Sequence, residues 1–246
     1  MKLTYDGQTI DLFDGEIPNQ VILALSGGLD SASLLYLICT HFPNIEVIPY
    51  TGLDIHAPMD NACANEILDW MKEHFPNQKF KPKEEFSFDV YDPVLRERCK
   101  REWEQEKIDV DGKKVARAFN ITGLAKILAK RDAEMKIREK YPNAMVITGM
   151  TANPPVEEQK KHGFYDLAER RRDSKNQKQA IWTYQPYLNV DKKFVAGVYK
   201  KHNLWDLYEL TGSCVGLAEE TDFFTRECRQ CFWCHEKKWA FDLTWD

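Results

Sequence analysis

The stretch Val21-Ile22-Leu23-Ala24-Leu25-Ser26-Gly27-Gly28-Leu29-Asp30-Ser31 decides the fold of this chain. Its first five residues form a short apolar run, which is typical of a buried parallel strand. Two glycines follow almost directly, and apolar residues then recur at helical intervals from Ala32 to Ile38. The sequence therefore predicts a strand, a tight loop and a helix in that order.

The loop Ser26–Ser31 has the composition of a phosphate-binding turn. Glycines let the backbone turn tightly and approach a ligand without a Cβ clash, and the first turn of a helix offers free N–H groups to an anion. We expect the hydroxyls of Ser26 and Ser31 to add donors, and Asp30 to act through a magnesium ion or by fixing the loop. The alternative is a plain glycine turn in which Asp30 or Ser31 caps the helix.

Further along the chain, apolar runs alternate with amphipathic segments. The patterns predict strands at 46–51, within 79–89 and at 144–149, and helices at about 60–73, 122–140 and 190–208. Such alternation favours a parallel sheet with helices on both faces, and such sheets bind ligands beyond the carboxyl ends of their strands. Thr148 and Gly149 end one strand as Ser26 follows another, so we expect them in one site.

Two charged segments are less informative. Residues 92–114 have no clear pattern, and 156–180 is mostly polar and includes Arg170-Arg171-Arg172. The second segment is either an exposed loop or helix face, or a lid whose arginines contact phosphate or carboxylate. The chain has 34 Lys+Arg against 39 Asp+Glu, a formal net charge of -5, so neither general nucleic-acid binding nor membrane binding is expected.

Four of the seven cysteines crowd the C-terminal segment as Cys214, Cys228, Cys231 and Cys234. Two-residue gaps let neighbouring thiolates converge on one ion, so this spacing predicts a closed four-sulfur zinc site. An iron–sulfur cluster, a redox pair and a small zinc ribbon are the alternatives, and His235 could replace one ligand. Because the other three cysteines, Cys39, Cys63 and Cys99, are scattered, we expect them to pack.

The N-terminus shows no apolar signal region, and no run approaches the ~18 apolar residues of a membrane helix. Together with metal-type cysteine spacing, this favours a reducing cytoplasm. We expect residues 1–210 to form a nucleotide-binding α/β domain and residues 211–246 a zinc-binding segment packed on it.

The segment Ser26-Gly27-Gly28-Leu29-Asp30-Ser31 resembles the PP-loop signature of enzymes that split ATP between its α and β phosphates. The resemblance implies a Rossmann-like parallel sheet of the adenine nucleotide alpha hydrolase type, ATP with magnesium, and an adenylylated intermediate. It also implies that Leu25–Ser31, Thr148 and Gly149 contact the nucleotide, and that Asp30 and Ser31 serve catalysis.

A PP-loop followed by C…C-x2-C-x2-C resembles the 7-cyano-7-deazaguanine synthases of the queuosine pathway. The segments Thr211–Cys214, Tyr187–Lys192 and Cys231–Phe241 are similar to motifs of that family. The resemblance implies an ATP-dependent ligase that joins ammonia to 7-carboxy-7-deazaguanine and forms the nitrile. It also implies a homodimer and small-molecule substrates.

Two segments depart from the family pattern. Val115-Ala116-Arg117-Ala118-Phe119-Asn120 separates an arginine and an asparagine that are normally adjacent, so Arg117 is either a catalytic contact or an exposed arginine. Met150–Pro155 stands where the substrate loop is expected, and Asp166, Arg171, Arg172 and Asp173 are candidates to replace it. The alternatives are therefore a PP-loop enzyme acting on another carboxylate, one that transfers a deazaguanine to a macromolecule, a tRNA thiolation enzyme, or an idle nucleotide-binding subunit.

Overall fold

The computed structural model describes residues 1–15, 17–56, 59–103, 107–110, 113–116, 121–162, 178–179, 183–214, 220–222 and 227–244. In these ranges the strands are β1 (Lys2–Tyr5), β2 (Gln8–Asp11), β3 (Gln20–Ala24), β4 (Glu46–Asp54), β5 (Glu84–Phe88), β6 (Lys107–Val110), β7 (Lys113–Ala116), β8 (Met145–Ile147), β9 (Lys178–Gln179) and β10 (Thr183–Tyr184). The helices are α1 (Leu29–His41), α2 (Met59–His74), α3 (Pro93–Glu102), α4 (Ile121–Lys140), α5 (Val156–Lys161), α6 (Lys192–His202), α7 (Trp205–Glu209) and α8 (Phe232–Phe241).

The central sheet has the strand order β5-β4-β3-β8-β10-β9. The first five strands in that order are parallel, with Val21 of β3 opposite Val47 of β4 on one side and Met145 of β8 on the other. Strand β9 pairs antiparallel with β10, so the sheet departs from the all-parallel prediction at that edge. The parallel α/β class predicted from the sequence is otherwise confirmed.

Helices cover both faces of the sheet because strand β3 is apolar on both sides. Val21 and Leu23 face the large core that includes α1, and Ile22 faces a smaller core with Ile137 of α4. All of these side chains are fully buried, and burial of each contributes about 1.5–3 kcal/mol. The strand that carries the glycine loop is thus fixed from both faces.

Helix α4 runs antiparallel to the strands. Lys140 in its last turn pairs with Glu84 at the start of β5 at 2.6 Å, whereas its first turns lie towards the carboxyl ends of the strands. That end carries the glycine loop and the end of β4. Side chains early in α4 are therefore placed at the same edge as the loop.

The helices differ from those predicted in two segments. The single helix predicted at 190–208 is two helices, α6 and α7, because Asn203 adopts a left-handed φ of 53° and ends α6. Part of the unassigned segment 92–114 is helix α3, where Pro93 occupies the first position and the Asp92 carboxylate accepts the Leu95 N–H at 2.8 Å. Proline after an N-cap aspartate is a helix start signal.

The N-terminal hairpin was not predicted. Strands β1 and β2 join through Asp6 and Gly7, whose φ values of 47° and 70° suit a tight two-residue turn. The hairpin is tied to late parts of the chain, since the Gln8 amide donates to Asp191 at 2.8 Å and the Tyr184 hydroxyl donates to the Asp11 carbonyl at 2.6 Å. It closes one side of the main core.

The C-terminal helix α8 packs on α6. Trp239, Ala240 and Phe241 join the large core, which anchors the cysteine-rich segment to the α/β layers. None of the helices in the described ranges is long and apolar enough to cross a membrane.

Candidate functional site

The glycine loop lies at the carboxyl end of β3 and leads directly into α1. Gly27 has a φ of 78°, and a Cβ built there would lie 2.5 Å from the Asp60 carbonyl and 3.0 Å from the Cys63 Cβ. Neither the backbone angle nor the space allows a side chain at this position. The loop is thus pressed against the start of α2, and its backbone takes a path that only glycine permits.

The Ser31 hydroxyl braces the loop. It donates to the Gly28 carbonyl at 3.0 Å, accepts the Ser26 N–H at 3.2 Å and lies 3.3 Å from the Ser26 hydroxyl. Ser31 is buried and Ser26 is exposed. Ser26 therefore offers its hydroxyl to a ligand, while Ser31 holds the loop in shape.

Leu25 and Leu29 are buried, so their contribution to a ligand site is through the backbone. The Leu25 N–H donates to the Tyr50 carbonyl at 2.8 Å and continues the strand pairing. Gly28 is the residue before α1 and has no side-chain cap, so the first N–H groups of α1 are not taken by a capping side chain. Free N–H groups at a helix start are an anion site.

Asp30 lies in a buried charge cluster. Both of its carboxylate oxygens are 2.6 Å from the Lys192 ammonium, which also lies 3.5 Å from Glu236. Burial lowers the pKa of Lys192, but the two carboxylates outweigh it and the pKa is raised. The ammonium is therefore charged, and Asp30 fixes the loop by an ion pair.

The C-terminal segment touches the loop directly. The Gly212 N–H donates to the Gly27 carbonyl at 2.9 Å, and a Cβ built at Gly212 would lie 3.0 Å from the Cys63 Sγ. With Glu236 on α8, residues from the last part of the chain support the loop at two points. Lys192 and Glu236 were assigned no role from the sequence, although Lys192 directly follows the N-cap Asp191.

Thr148 and Gly149 lie beside the loop at the neighbouring strand end. A Cβ at Gly149 would lie 2.8 Å from the Asp30 carbonyl and 3.2 Å from the Ser31 nitrogen. The Thr148 N–H donates to the Tyr184 carbonyl, and its buried hydroxyl has no partner within the described ranges. The fold therefore brings these residues together with Ser26–Ser31.

The residues after Gly149 do not form an open substrate loop. Thr151, Ala152 and Asn153 are buried, and the Ala152 N–H donates to the Val190 carbonyl at 2.8 Å. This segment packs against the chain before α6. Arg117, Arg170–Arg172, Asp166 and Asp173 lie outside the described residues.

The four predicted cysteines form one cluster. The Sγ atoms of Cys214, Cys228, Cys231 and Cys234 all lie within 4.8 Å of one another. Tetrahedral coordination with Zn–S of about 2.3 Å places sulfurs about 3.8 Å apart, so the spacing suits one ion. Backbone N–H groups of Cys228 and Cys231 donate to the Sγ atoms of Cys214 and Cys228 at 3.2 and 3.3 Å.

The chemistry of the cluster also calls for a cation. Hydrogen bonds with the Cys214 and Cys231 side chains raise the pKa of the Cys234 thiol, and burial and the charges of the same two sulfurs raise it further. Four thiolates can therefore occupy this space only with a cation to balance their charge. Among the described residues this is the only group of three or more candidate ligands that converge, and His235 is not part of it. All seven cysteines are free of disulfides.

Cys63 lies against the loop, which the sequence did not indicate. Burial, together with Glu66 and Asp60, raises the pKa of its thiol. Burial also raises the pKa of Cys39 to about 12. Neither thiol is in the electropositive surroundings that activate a nucleophilic cysteine.

Comparison with models of known families found no match, and comparison with curated proteins found none either. Among solved structures, NMN synthetase from Francisella tularensis is similar over 95% of this chain and 90% of that one, with 15% identity and a TM-score of 0.45. U34-tRNA thiolase NcsA from Methanococcus maripaludis, solved with its [4Fe-4S] cluster, is similar over 93% of this chain and 72% of that one, with 14% identity and a TM-score of 0.44. Glutamine-dependent NAD+ synthetase from Acinetobacter baumannii is similar over 79% of this chain and 31% of that one, with 13% identity and a TM-score of 0.43. Likenesses of this strength assign neither a family nor an activity to the chain.

Proposed function

We propose that this protein is an ATP-cleaving ligase that adenylylates a carboxylate and releases pyrophosphate. The observation that carries the proposal is the loop Ser26–Ser31, which lies at a strand end and a helix start and is held there by Asp30, Lys192 and Gly212. Such a loop presents backbone N–H groups to phosphate. Its resemblance to the PP-loop specifies cleavage between the α and β phosphates.

The chemistry follows from the poor reactivity of a carboxylate. One carboxylate oxygen attacks the α-phosphorus of ATP, the bond to the bridging oxygen breaks, and pyrophosphate leaves. The acyl carbon then carries AMP, a good leaving group, in place of oxide. The protein aligns the two reactants at the carboxyl edge of the sheet and keeps water away from the mixed anhydride.

The resemblance to 7-cyano-7-deazaguanine synthases supports a finer assignment. Ammonia attacks the acyl carbon of adenylylated 7-carboxy-7-deazaguanine and AMP leaves, which gives the amide. The amide oxygen then attacks the α-phosphorus of a second ATP and displaces pyrophosphate. AMP leaves with that oxygen while the nitrogen gives up two protons, which gives the nitrile. We further propose a homodimer, as in that family.

In this proposal magnesium is bound mainly by the phosphates of ATP, because both oxygens of Asp30 are held by Lys192. Magnesium neutralises phosphate charge when bound. The loop N–H groups and the Ser26 hydroxyl orient the phosphates. Zinc is the ion we propose for Cys214, Cys228, Cys231 and Cys234, where it would pin the C-terminal segment and take no part in the reaction.

The second candidate is a ligase for a different acceptor. It is favoured by the buried segment after Gly149, since Thr151 and Asn153 pack inside and do not line an open substrate loop. A tRNA thiolation activity is less well supported, because Cys63 beside the loop has a raised pKa and the four-cysteine cluster is spaced for a single ion.

The proposal is tested by mass spectrometry of the purified protein incubated with ATP, magnesium, ammonium and 7-carboxy-7-deazaguanine. We expect the nitrile, AMP and pyrophosphate, and we expect Asp30→Ala to release no pyrophosphate while remaining folded. Pyrophosphate release by Asp30→Ala would contradict the loop assignment. Binding of ATP without formation of the nitrile would favour the second candidate, a ligase for a different acceptor.

A further inference from the structure

Two lysines of α4 lie at the same edge of the sheet as the glycine loop. Lys126 and Lys130 are four residues apart and therefore share one face of the helix. The Lys126 ammonium lies 3.6 Å from the Asp60 carboxylate, and Asp60 is the residue whose carbonyl abuts Gly27. A continuous path thus leads from the loop to the lysines.

Lys130 is accommodated by a glycine in β4. A Cβ built at Gly52 would lie 3.2 Å from the Lys130 Cγ, and the φ of Gly52 is ordinary. Gly52 therefore makes room for the aliphatic part of the Lys130 side chain, and its backbone angle does not require a glycine. That space lets the stem cross the strand near its carboxyl end, where Asp54 lies.

The ammonium of Lys130 has no hydrogen bond or ion pair to any residue that the structure describes, in contrast to Lys126. Burial and the neighbouring Lys126 charge lower the pKa of Lys130, and Asp60 and Asp54 only partly offset them. A partly desolvated cation without a direct partner gains when an anion is brought to it.

We propose that Lys126 and Lys130 form an oxyanion subsite beside the phosphate loop, which takes a phosphate or carboxylate group of a substrate. The inference deepens the proposed function and rests on it, since both possible sources of the anion meet at this edge. One source is the β and γ phosphates of ATP, and the other is the carboxylate of the acceptor.

The test is calorimetric titration of the full chain with four probes, namely Mg·ATP, pyrophosphate, AMP and 7-carboxy-7-deazaguanine. The variants are Lys130→Met and Lys126→Met, with Lys136→Met as the matched control, because Lys136 is exposed on the same helix. Lys130→Arg retains the positive charge, and we expect its affinities to lie closer to those of the wild type than the affinities of Lys130→Met do.

If the anion comes from the nucleotide, Lys130→Met lowers the affinity for Mg·ATP and for pyrophosphate at least tenfold and leaves the affinity for AMP unchanged. If the anion comes from the acceptor, Lys130→Met lowers only the affinity for 7-carboxy-7-deazaguanine. Unchanged affinity of Lys130→Met for every probe that the wild type binds overturns the subsite alone. A wild type that does not bind Mg·ATP overturns the proposed function, and the subsite falls with it.

Discussion

Gly27 and Gly7 both have left-handed backbone angles, but they have very different surroundings. Nothing lies within 4 Å of a Cβ built at Gly7, whereas one at Gly27 would meet the Asp60 carbonyl at 2.5 Å. Gly7→Ala therefore measures the conformational cost alone, about 1–2 kcal/mol. Gly27→Ala adds a clash with backbone.

We predict that Gly27→Ala lowers the free energy of unfolding by about 1–3 kcal/mol more than Gly7→Ala does. Of the two variants, only Gly27→Ala should abolish ATP binding. Urea denaturation and calorimetric titration of both variants check this. Equal losses of stability, or normal ATP binding by Gly27→Ala, would show that the loop does not need the observed path.

Lys192 is the cation between two carboxylates, so its loss removes one ion pair from Asp30 and one from the buried Glu236. We predict that Lys192→Met lowers the free energy of unfolding by about 3–5 kcal/mol near neutral pH. Lys193→Met, whose ammonium lies over the ring of Trp239 at 4.9 Å, is the control and should cost under about 1 kcal/mol.

The same ion pair gives a pH dependence. Because the pKa of Lys192 is raised above its ordinary 10.5, its contribution to stability is complete below about pH 10.5 and declines as the pH rises through the folded-state pKa. The difference in unfolding free energy between wild type and Lys192→Met should be constant from pH 7 to 10 and shrink above that. A difference that is already shrinking at pH 8 would contradict a charged, paired lysine.

Helix α8 begins at the cysteine cluster, where we propose a zinc ion. We predict that Cys228→Ala loses the metal and lowers the melting temperature by several degrees, since structural zinc contributes folding free energy. Cys39→Ala, a buried thiol outside the cluster, should keep one metal ion per chain. Elemental analysis of both proteins decides, and iron with labile sulfide would replace the zinc assignment.

Elements with a strong local pattern were predictable, and those that depend on distant contacts were not. Strand β3, the loop and α1 follow from an apolar run, two glycines and helical spacing. The β1–β2 hairpin is joined by hydrogen bonds to Asp191 and Tyr184, and no local pattern reveals such distant contacts. The break at Asn203 was missed because one left-handed residue interrupts an otherwise continuous apolar pattern.

The candidate site was predictable in part for the same reason. Ser26–Ser31 and the four clustered cysteines can be recognised from the spacing of residues that are close in sequence. The structure then places Thr148 and Gly149 beside the loop. Lys192, Glu236, Lys126 and Lys130 are ordinary charged residues in the sequence. Only the fold shows that they converge on one edge of the sheet.

Across the whole molecule, the glycine loop Ser26–Ser31 and the cysteine segment are in direct contact and support one another. Gly212 bonds to Gly27, and Glu236 reaches Lys192. We therefore predict that removing the metal with a chelator weakens ATP binding at least tenfold, and that ATP raises the melting temperature of the metal-bound form far more than that of the stripped form. Calorimetry with and without chelator checks this, and equal affinities would mean that the segment does not support the loop.

The distance along the chain between Asp30 and Lys192 sets an order of events during synthesis. The two residues are 162 positions apart, so at about 5–20 residues per second the ribosome needs roughly 8–30 s to supply the lysine after it has made the aspartate. Until then the nascent loop has neither this cation nor Gly212. A chain released early carries the glycine loop without the contacts that shape it, and the loop reaches its final form only when the last quarter of the polypeptide has been made.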